Sequence, residues 1–216
     1  MREMNAQDAT SVDEKPLAKW LFQGLPAARM LGREFRFEAP SRVFFEIPTI
    51  ELVPGARGPG DVDVLVASSE CPQRSVAFEV KRVKVDAATF ATGAPGKVAK
   101  LKQGVQQVNL LCELGFHRAY LLVAIVTDGR ERDVHSFPFR GPTPEILRII
   151  REFPSRDKLH PHAGLALVEM TQPVDKDIQF AGSIGMQICV EAREVEQSAH
   201  LSIAISRLLQ GADAQP

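Results

Sequence analysis

A chain of 216 residues, 44% hydrophobic and 25% charged, is long enough to bury one substantial core and has the balance of an ordinary globular protein. Its formal net charge of −1 excludes a protein that coats nucleic acid through global charge, and three scattered cysteines, Cys71, Cys112 and Cys189, exclude a disulfide framework and a C-x-x-C zinc site. No apolar run approaches a membrane span, and Met1-Arg2-Glu3-Met4-Asn5 lacks the basic-then-apolar pattern of a secretory signal, so a cytoplasmic protein without membrane contact is expected.

Residues 1–12 are expected to be disordered. A helix is predicted over 12–30, opened by Ser11-Val12-Asp13-Glu14, carrying Leu17, Trp20, Leu21 and Leu25 at helical spacing, and bent or ended near Gly24-Leu25-Pro26. Arg42-Val43-Phe44-Phe45-Glu46-Ile47, stopped by Pro48, reads as a strand, and the glycines and prolines of 54–60 force a loop. Out of that loop comes Asp61-Val62-Asp63-Val64-Leu65-Val66, a strand whose alternation sets Asp61, Asp63 and Leu65 on one face and the three valines on the other. A polar turn over 68–74 leads to the strand 75–81, close enough in sequence to form a hairpin with its predecessor; Glu79 and Lys81 share one face there, and Val76, Phe78 and Val80 the other.

A Gly/Pro-punctuated loop over 89–96 precedes an amphipathic helix over 97–114, with Val98, Leu101, Val105, Val108 and Cys112 on one face and Gly115 as its stop. Residues 119–126 are almost wholly apolar, as in a strand buried on both sides. Beyond it a helix over 144–153, strands over 164–169 and 186–191, a helix over about 195–209 and a disordered tail, 211–216, complete the reading.

The residues that carry chemistry lie on the two strands after the glycine-rich loop. Phosphodiester hydrolysis needs a hard divalent cation to neutralise the phosphate and acidify a water, and Mg²⁺ takes oxygen ligands while retaining several waters. Two carboxylates and a backbone carbonyl supply such a site, and an ammonium on the same face can orient water and offset charge in the transition state. Asp63, Glu79 and Lys81 form that set. Basic residues between 81 and 102 (Lys81, Arg82, Lys84, Lys97, Lys100 and Lys102) are met by one acid, Asp86, which composition alone reads either as a region able to meet phosphates or as a solvated charged face on a strand end and a helix.

Gly60-Asp61-Val62-Asp63-Val64-Leu65-Val66 followed by Ala77-Phe78-Glu79-Val80-Lys81 resembles the D…(D/E)xK signature of the PD-(D/E)XK nuclease superfamily, which includes restriction endonucleases, Holliday-junction resolvases and RecB-like nucleases. The resemblance implies an α/β fold with a restriction endonuclease-like three-layer core, in the order αβββαβ, over residues 13–130. It also implies a mixed sheet flanked by helices and a C-terminal α/β extension over 131–210. It assigns the metal to Asp63 and Glu79, with Asp61 as second choice and an upstream acid, Glu51 in preference to Glu46; Lys81 becomes the water-orienting amine. RecB-like members carry a glutamine on the second core helix, often as Q-x-x-x-Y; Gln103 and Gln107 stand one turn apart here, with glutamine in the tyrosine's place.

The expected activity is a Mg²⁺- or Mn²⁺-dependent nuclease, on DNA before RNA, with Lys84, Lys97, Lys100 and Lys102 guiding phosphates. A homodimer would give two sites for two strands. The alternative is a nuclease-fold module that no longer cuts and acts with a partner protein. Other readings stand open beside these: Glu79 and Lys81 as an exposed ion pair, Asp61 as a turn cap, the glutamines as solvent-facing helix formers, and Phe137 and Phe139 as core plugs instead of base-stacking residues.

Overall fold

The computed structural model describes residues 13–55, 60–95, 98–128, 141–171 and 183–213. Within them an α/β protein is built on one six-stranded mixed sheet whose strand order follows the chain. The strands are β1 (Ser41–Pro48), β2 (Asp61–Ser68), β3 (Val76–Val85), β4 (Arg118–Thr127), β5 (Ala163–Thr171) and β6 (Ser183–Val190). Neighbours β1/β2, β2/β3 and β5/β6 run antiparallel; β3/β4 and β4/β5 run parallel.

Helices cover both faces. On one side α1 (Glu14–Gln23) and α2 (Leu25–Glu34) contribute Leu17, Leu21, Phe22 and Leu31 to a core with Val64, Val66, Phe78 and Val80 of the sheet. The expected break falls at Gly24, whose extended backbone separates the two helices, with Pro26 in the first turn of α2, where its missing N–H costs no helical bond. On the other side α5 (Leu101–Glu113), α6 (Pro144–Arg151) and α7 (Ala199–Asp213) bury Leu101, Val105, Val108, Ile146, Ile150, Leu201 and Ile205 against Leu65, Ala77, Leu121 and Leu165. A sheet buried on both faces explains the apolar runs of β3, β4 and β5, which lack the alternation of a half-exposed strand.

Two short helices replace expected loops or lie between elements: α3 (Thr49–Leu52) after β1, and α4 (Ala87–Thr92) after β3. The latter occupies part of the predicted 89–96 loop because Asp86 caps it, accepting from the Thr89 N–H at 3.1 Å, and Gly93 closes it at φ 67°. β3 runs four residues beyond the predicted end, since its pairing with β4 continues to Val85↔Thr127. α5 starts at Leu101, after a 3-10 turn at Val98–Lys100, and is ended by Gly115 at φ 85° as its sequence predicts.

The C-terminal strands extend the same sheet: β5 pairs with β4 along its whole length and feeds both cores. Residues 191–198 are irregular, so α7 begins at Ala199, and it continues through Gly211 to Asp213, a helical turn where a disordered tail was expected. Residues 1–12 and 214–216, Lys97, Phe137 and Phe139 lie outside the described residues. No helix among the described residues is long and apolar enough to cross a membrane.

Candidate active site

β2 and β3 begin as a hairpin and then part. They pair at Val66↔Val76, Leu65↔Ala77 and Val64↔Phe78, and the pairing stops there, one residue short of Asp63 and Glu79. β3 goes on pairing with β4, so only its β2 side is opened. Into the opening the Asp63 side chain turns: its Oδ2 accepts the Val80 N–H at 2.7 Å. A buried N–H left without a ladder partner must be satisfied somehow, and here a carboxylate does it.

The local sequence bends to allow this. Alternation along β2 sets Leu65 and Ala67 toward the α5 core and Val64 and Val66 toward the α1 core, but Val62 also joins the α5 core. The face changes at Asp63, which corrects the expectation that Val62, Val64 and Val66 share one side. β1 makes the same change: Phe45 packs with the α1 core and Ile47 with the α5 core. Between them Glu46 has φ 53°, a left-handed conformation costly for a residue with a Cβ inside a strand. The pairs Phe45↔Val64 and Ile47↔Val62 hold on either side, so the two strands turn together and keep register.

Glu79 lies across the opening and is only 1% exposed. Lys81, also buried, shares its face by β alternation; its ammonium donates to Glu79 Oε1 in a close ion pair and to the Val80 carbonyl at 3.3 Å. The lysine stem crosses α5 at Gly104, where an added Cβ would stand 2.9 Å from Lys81 Cγ. Glu14, in the first turn of α1, completes the cluster: its Oε2 is 3.9 Å from Lys81 Nζ, and its Oε1 accepts the Arg82 N–H at 3.5 Å. A cavity of about 130 Å³ opens beside Asp63 and Val80, with Glu14, Lys15, Lys19, Phe45 and Glu46 around it; Lys15 pairs closely with Glu46.

The electrostatics follow from burial. Burial pushes the Glu79 carboxyl up to about 8, reinforced by the Asp63 charge and opposed by Lys81. Asp63 is raised as well, again mainly by burial, against the Val80 N–H and the Lys81 charge, which favour its ionised form. For Lys81 burial works against the ammonium, but the charge and hydrogen bond of Glu79, with Asp63 and Glu14, outweigh it and hold the amine above its usual range. Near neutral pH Glu79 therefore keeps its carboxyl proton, shared by a hydrogen bond with Asp63, and Lys81 stays an ammonium.

Glu79, buried, and Asp63, half-buried, are adjacent carboxyls that hold their protons more tightly than usual and become oxygen donors for a cation only on losing them. Together with the Val80 carbonyl they suit a hard ion that keeps most of its water, as Mg²⁺ does. They do not suit an ion that requires an all-protein cage: among the described residues no group of three or more His, Cys, Asp or Glu could hold a metal.

Asp63, Glu79 and Lys81 are thus brought together. Glu51 is not: on α3 it borders a different groove, with Phe44, Leu52, Arg207 and Leu208, because α3 carries it over the end of the sheet to α7. Asp61 is exposed at the start of β2, opposite Pro48, and takes no place in the cavity lining. Gln103 is exposed; Gln107, one turn on, is half-buried, and its Oε1 has no hydrogen-bond partner among the described residues. Lys84 is 3.2 Å from Asp86, while Lys100 and Lys102 are exposed at the start of α5. Glu14, Lys15 and Lys19 were not singled out from the sequence; an acid and two lysines in a first helical turn and the next read as ordinary helix surface.

Fold and cluster together define an α/β mixed-sheet protein with a buried pair of carboxyls and one amine at a parting of two strands. No model of a known protein family matches the chain, and no curated protein matches it.

Proposed function

We propose that the chain is a Mg²⁺- or Mn²⁺-dependent nuclease with a restriction endonuclease-like core of the PD-(D/E)XK type, hydrolysing phosphodiester bonds in nucleic acid, DNA ahead of RNA. One observation carries this reading: β2 and β3 separate where Asp63 and Glu79 face each other, and Lys81 reaches the same point. The element order supports it, α1/α2, β1, β2, β3, α5 and β4 being the αβββαβ sequence implied by the D…ExK resemblance, with α3 and α4 as insertions.

A divalent cation held by Asp63 and Glu79 supplies neutralisation of phosphate charge and a lowered water pKa. The chain's own residues do the rest. The Val80 N–H fixes one Asp63 oxygen and leaves the other for binding. Glu79 would have to give its proton to solvent before it could serve as a ligand, and Lys81, which donates to it and to the Val80 carbonyl, stands where its ammonium could hold water or meet charge growing on the phosphate. Lys15 and Lys19, exposed on the cavity rim, are the cations a strand entering there would meet with its phosphates, and Lys100 and Lys102, exposed at the head of α5 on the other side of the sheet, are further candidates.

The close Lys81–Glu79 pair favours a second reading, a nuclease-fold module that binds without cutting, because it satisfies Glu79 with no cation present. Incubation with single- and double-stranded DNA and RNA, in Mn²⁺ and in chelator, separates the two. Cation-dependent cleavage that disappears in Lys81→Ala supports the nuclease; cleavage of none of the four, with binding retained, supports the module.

A further inference from the structure

We infer that Gly104 is a positioning residue for Lys81: the side chain missing from α5 is the groove in which the lysine stem lies, and it sets where the ammonium stands relative to Glu79 and the Val80 carbonyl. The inference deepens the nuclease reading and rests on it for the role of Lys81. Gly104 is the fourth residue of a thirteen-residue helix, and glycine is a poor helix former whose freedom a regular helix does not use. No positive φ calls for it. What calls for it is space. A Cβ there would stand 2.9 Å from Lys81 Cγ, 2.9 Å from Leu121 Cδ1 and 3.5 Å from Lys81 Cε.

The other helical glycines among the described residues differ. At Gly32 of α2 a Cβ would come no nearer than 3.8 Å to a neighbour, and at Gly211 of α7 it would meet nothing within 4 Å. Of the three, only Gly104 sets the helix surface against a lysine stem, and Lys81 itself is 9% exposed. A methyl group would push Cγ by several tenths of an ångström, and the displacement carries along three further bonds to the ammonium. Its bonds to Glu79 and Val80 depend on that position, and misplacement of a catalytic group on the order of 1 Å costs about 100-fold in rate.

Gly104→Ala, Gly211→Ala and Lys81→Ala, singly and with Gly104→Ala combined with Lys81→Ala, test this by two readings. Gly104→Ala should lower kcat by about tenfold with KM changed by less than about twofold, while Gly211→Ala cleaves as the wild type does. In thermal denaturation, Gly104→Ala should lower Tm clearly more in the wild-type background than in the Lys81→Ala background, where the stem is gone and only the close approach to Leu121 is left to oppose the gain in helix propensity. If the Tm loss is the same in both backgrounds, or kcat is unmoved, Gly104 merely spaces α5 from Leu121 and the inference falls. Should Gly104→Ala alone not fold, the double variant decides: folded, the inference stands; unfolded, it fails. A wild type that cuts nothing would overturn the nuclease reading, while the Tm cycle would still judge the Gly104–Lys81 contact.

Discussion

Glu79→Gln should make the metal-free protein more stable at pH 8 while removing its activity. In the folded state the Glu79 carboxyl is raised from 4.5 to about 8, by burial first and by Asp63 second. A carboxyl that holds its proton more tightly when folded contributes stability that is full below pH 4.5 and is lost progressively as pH rises to about 8. Each unit of pH in that window is worth about 1.4 kcal/mol. Between pH 5 and pH 8, with the proton shared between Glu79 and Asp63, the loss is on the order of 3 kcal/mol. The amide introduced by Glu79→Gln keeps the shape, still accepts from Lys81 and does not titrate, so its share of that loss is absent. Urea denaturation in chelator at pH 5, 6, 7 and 8 measures it: the two proteins should be close at pH 5, and the variant should gain steadily above that. Curves that run parallel across the range would refute the buried, proton-sharing pair.

Glu79→Ala and Lys81→Ala should retain the fold by circular dichroism and cleave nucleic acid at least about 1000-fold more slowly than the wild type, since on the proposed nuclease reading each removes a group acting directly at the phosphate or its cation. Mg²⁺ or Mn²⁺ should raise Tm more at pH 8 than at pH 5.5, because binding must displace the proton that Glu79 holds up to about pH 8; an equal rise at both pH values would count against Glu79 as a ligand. Glu14→Gln, which removes a charge 3.9 Å from the Lys81 amine, should reduce kcat about tenfold, whereas Glu51→Ala should leave cleavage unchanged; steady-state kinetics distinguish them.

Much of the scaffold is legible in the residues because its signals are local. The β-branched run of 61–66, the apolar run of 119–126, the Gly24-Leu25-Pro26 break and the Gly115 stop each dictate structure within a few residues. So does the pairing of Glu79 with Lys81 on one face, which alternation requires. Less legible is whatever depends on long-range geometry. Strict alternation predicts Asp61 beside Asp63, yet the joint kink at Glu46 and Asp63 breaks the period, and no residue type announces a left-handed glutamate in a strand. Proximity to Asp61 in sequence favoured Glu51, but the one turn of α3 carries it away; Glu14, distant in sequence, arrives because α1 packs across β3. α4 did carry a signal, Asp86 three residues before Thr89, hidden by the glycines and proline that follow it.

The central claim is that Asp63 and Glu79 together hold a divalent cation and that Lys81 gives way to it. Anomalous scattering from a crystal soaked in Mn²⁺ tests this directly. The account predicts one or two peaks at the strand opening, each about 2.1 Å from a carboxylate oxygen, with Asp63 and Glu79 both ligating and the Lys81 ammonium withdrawn from Glu79. Density with no such peak, and Lys81 still bonded to Glu79, would contradict it.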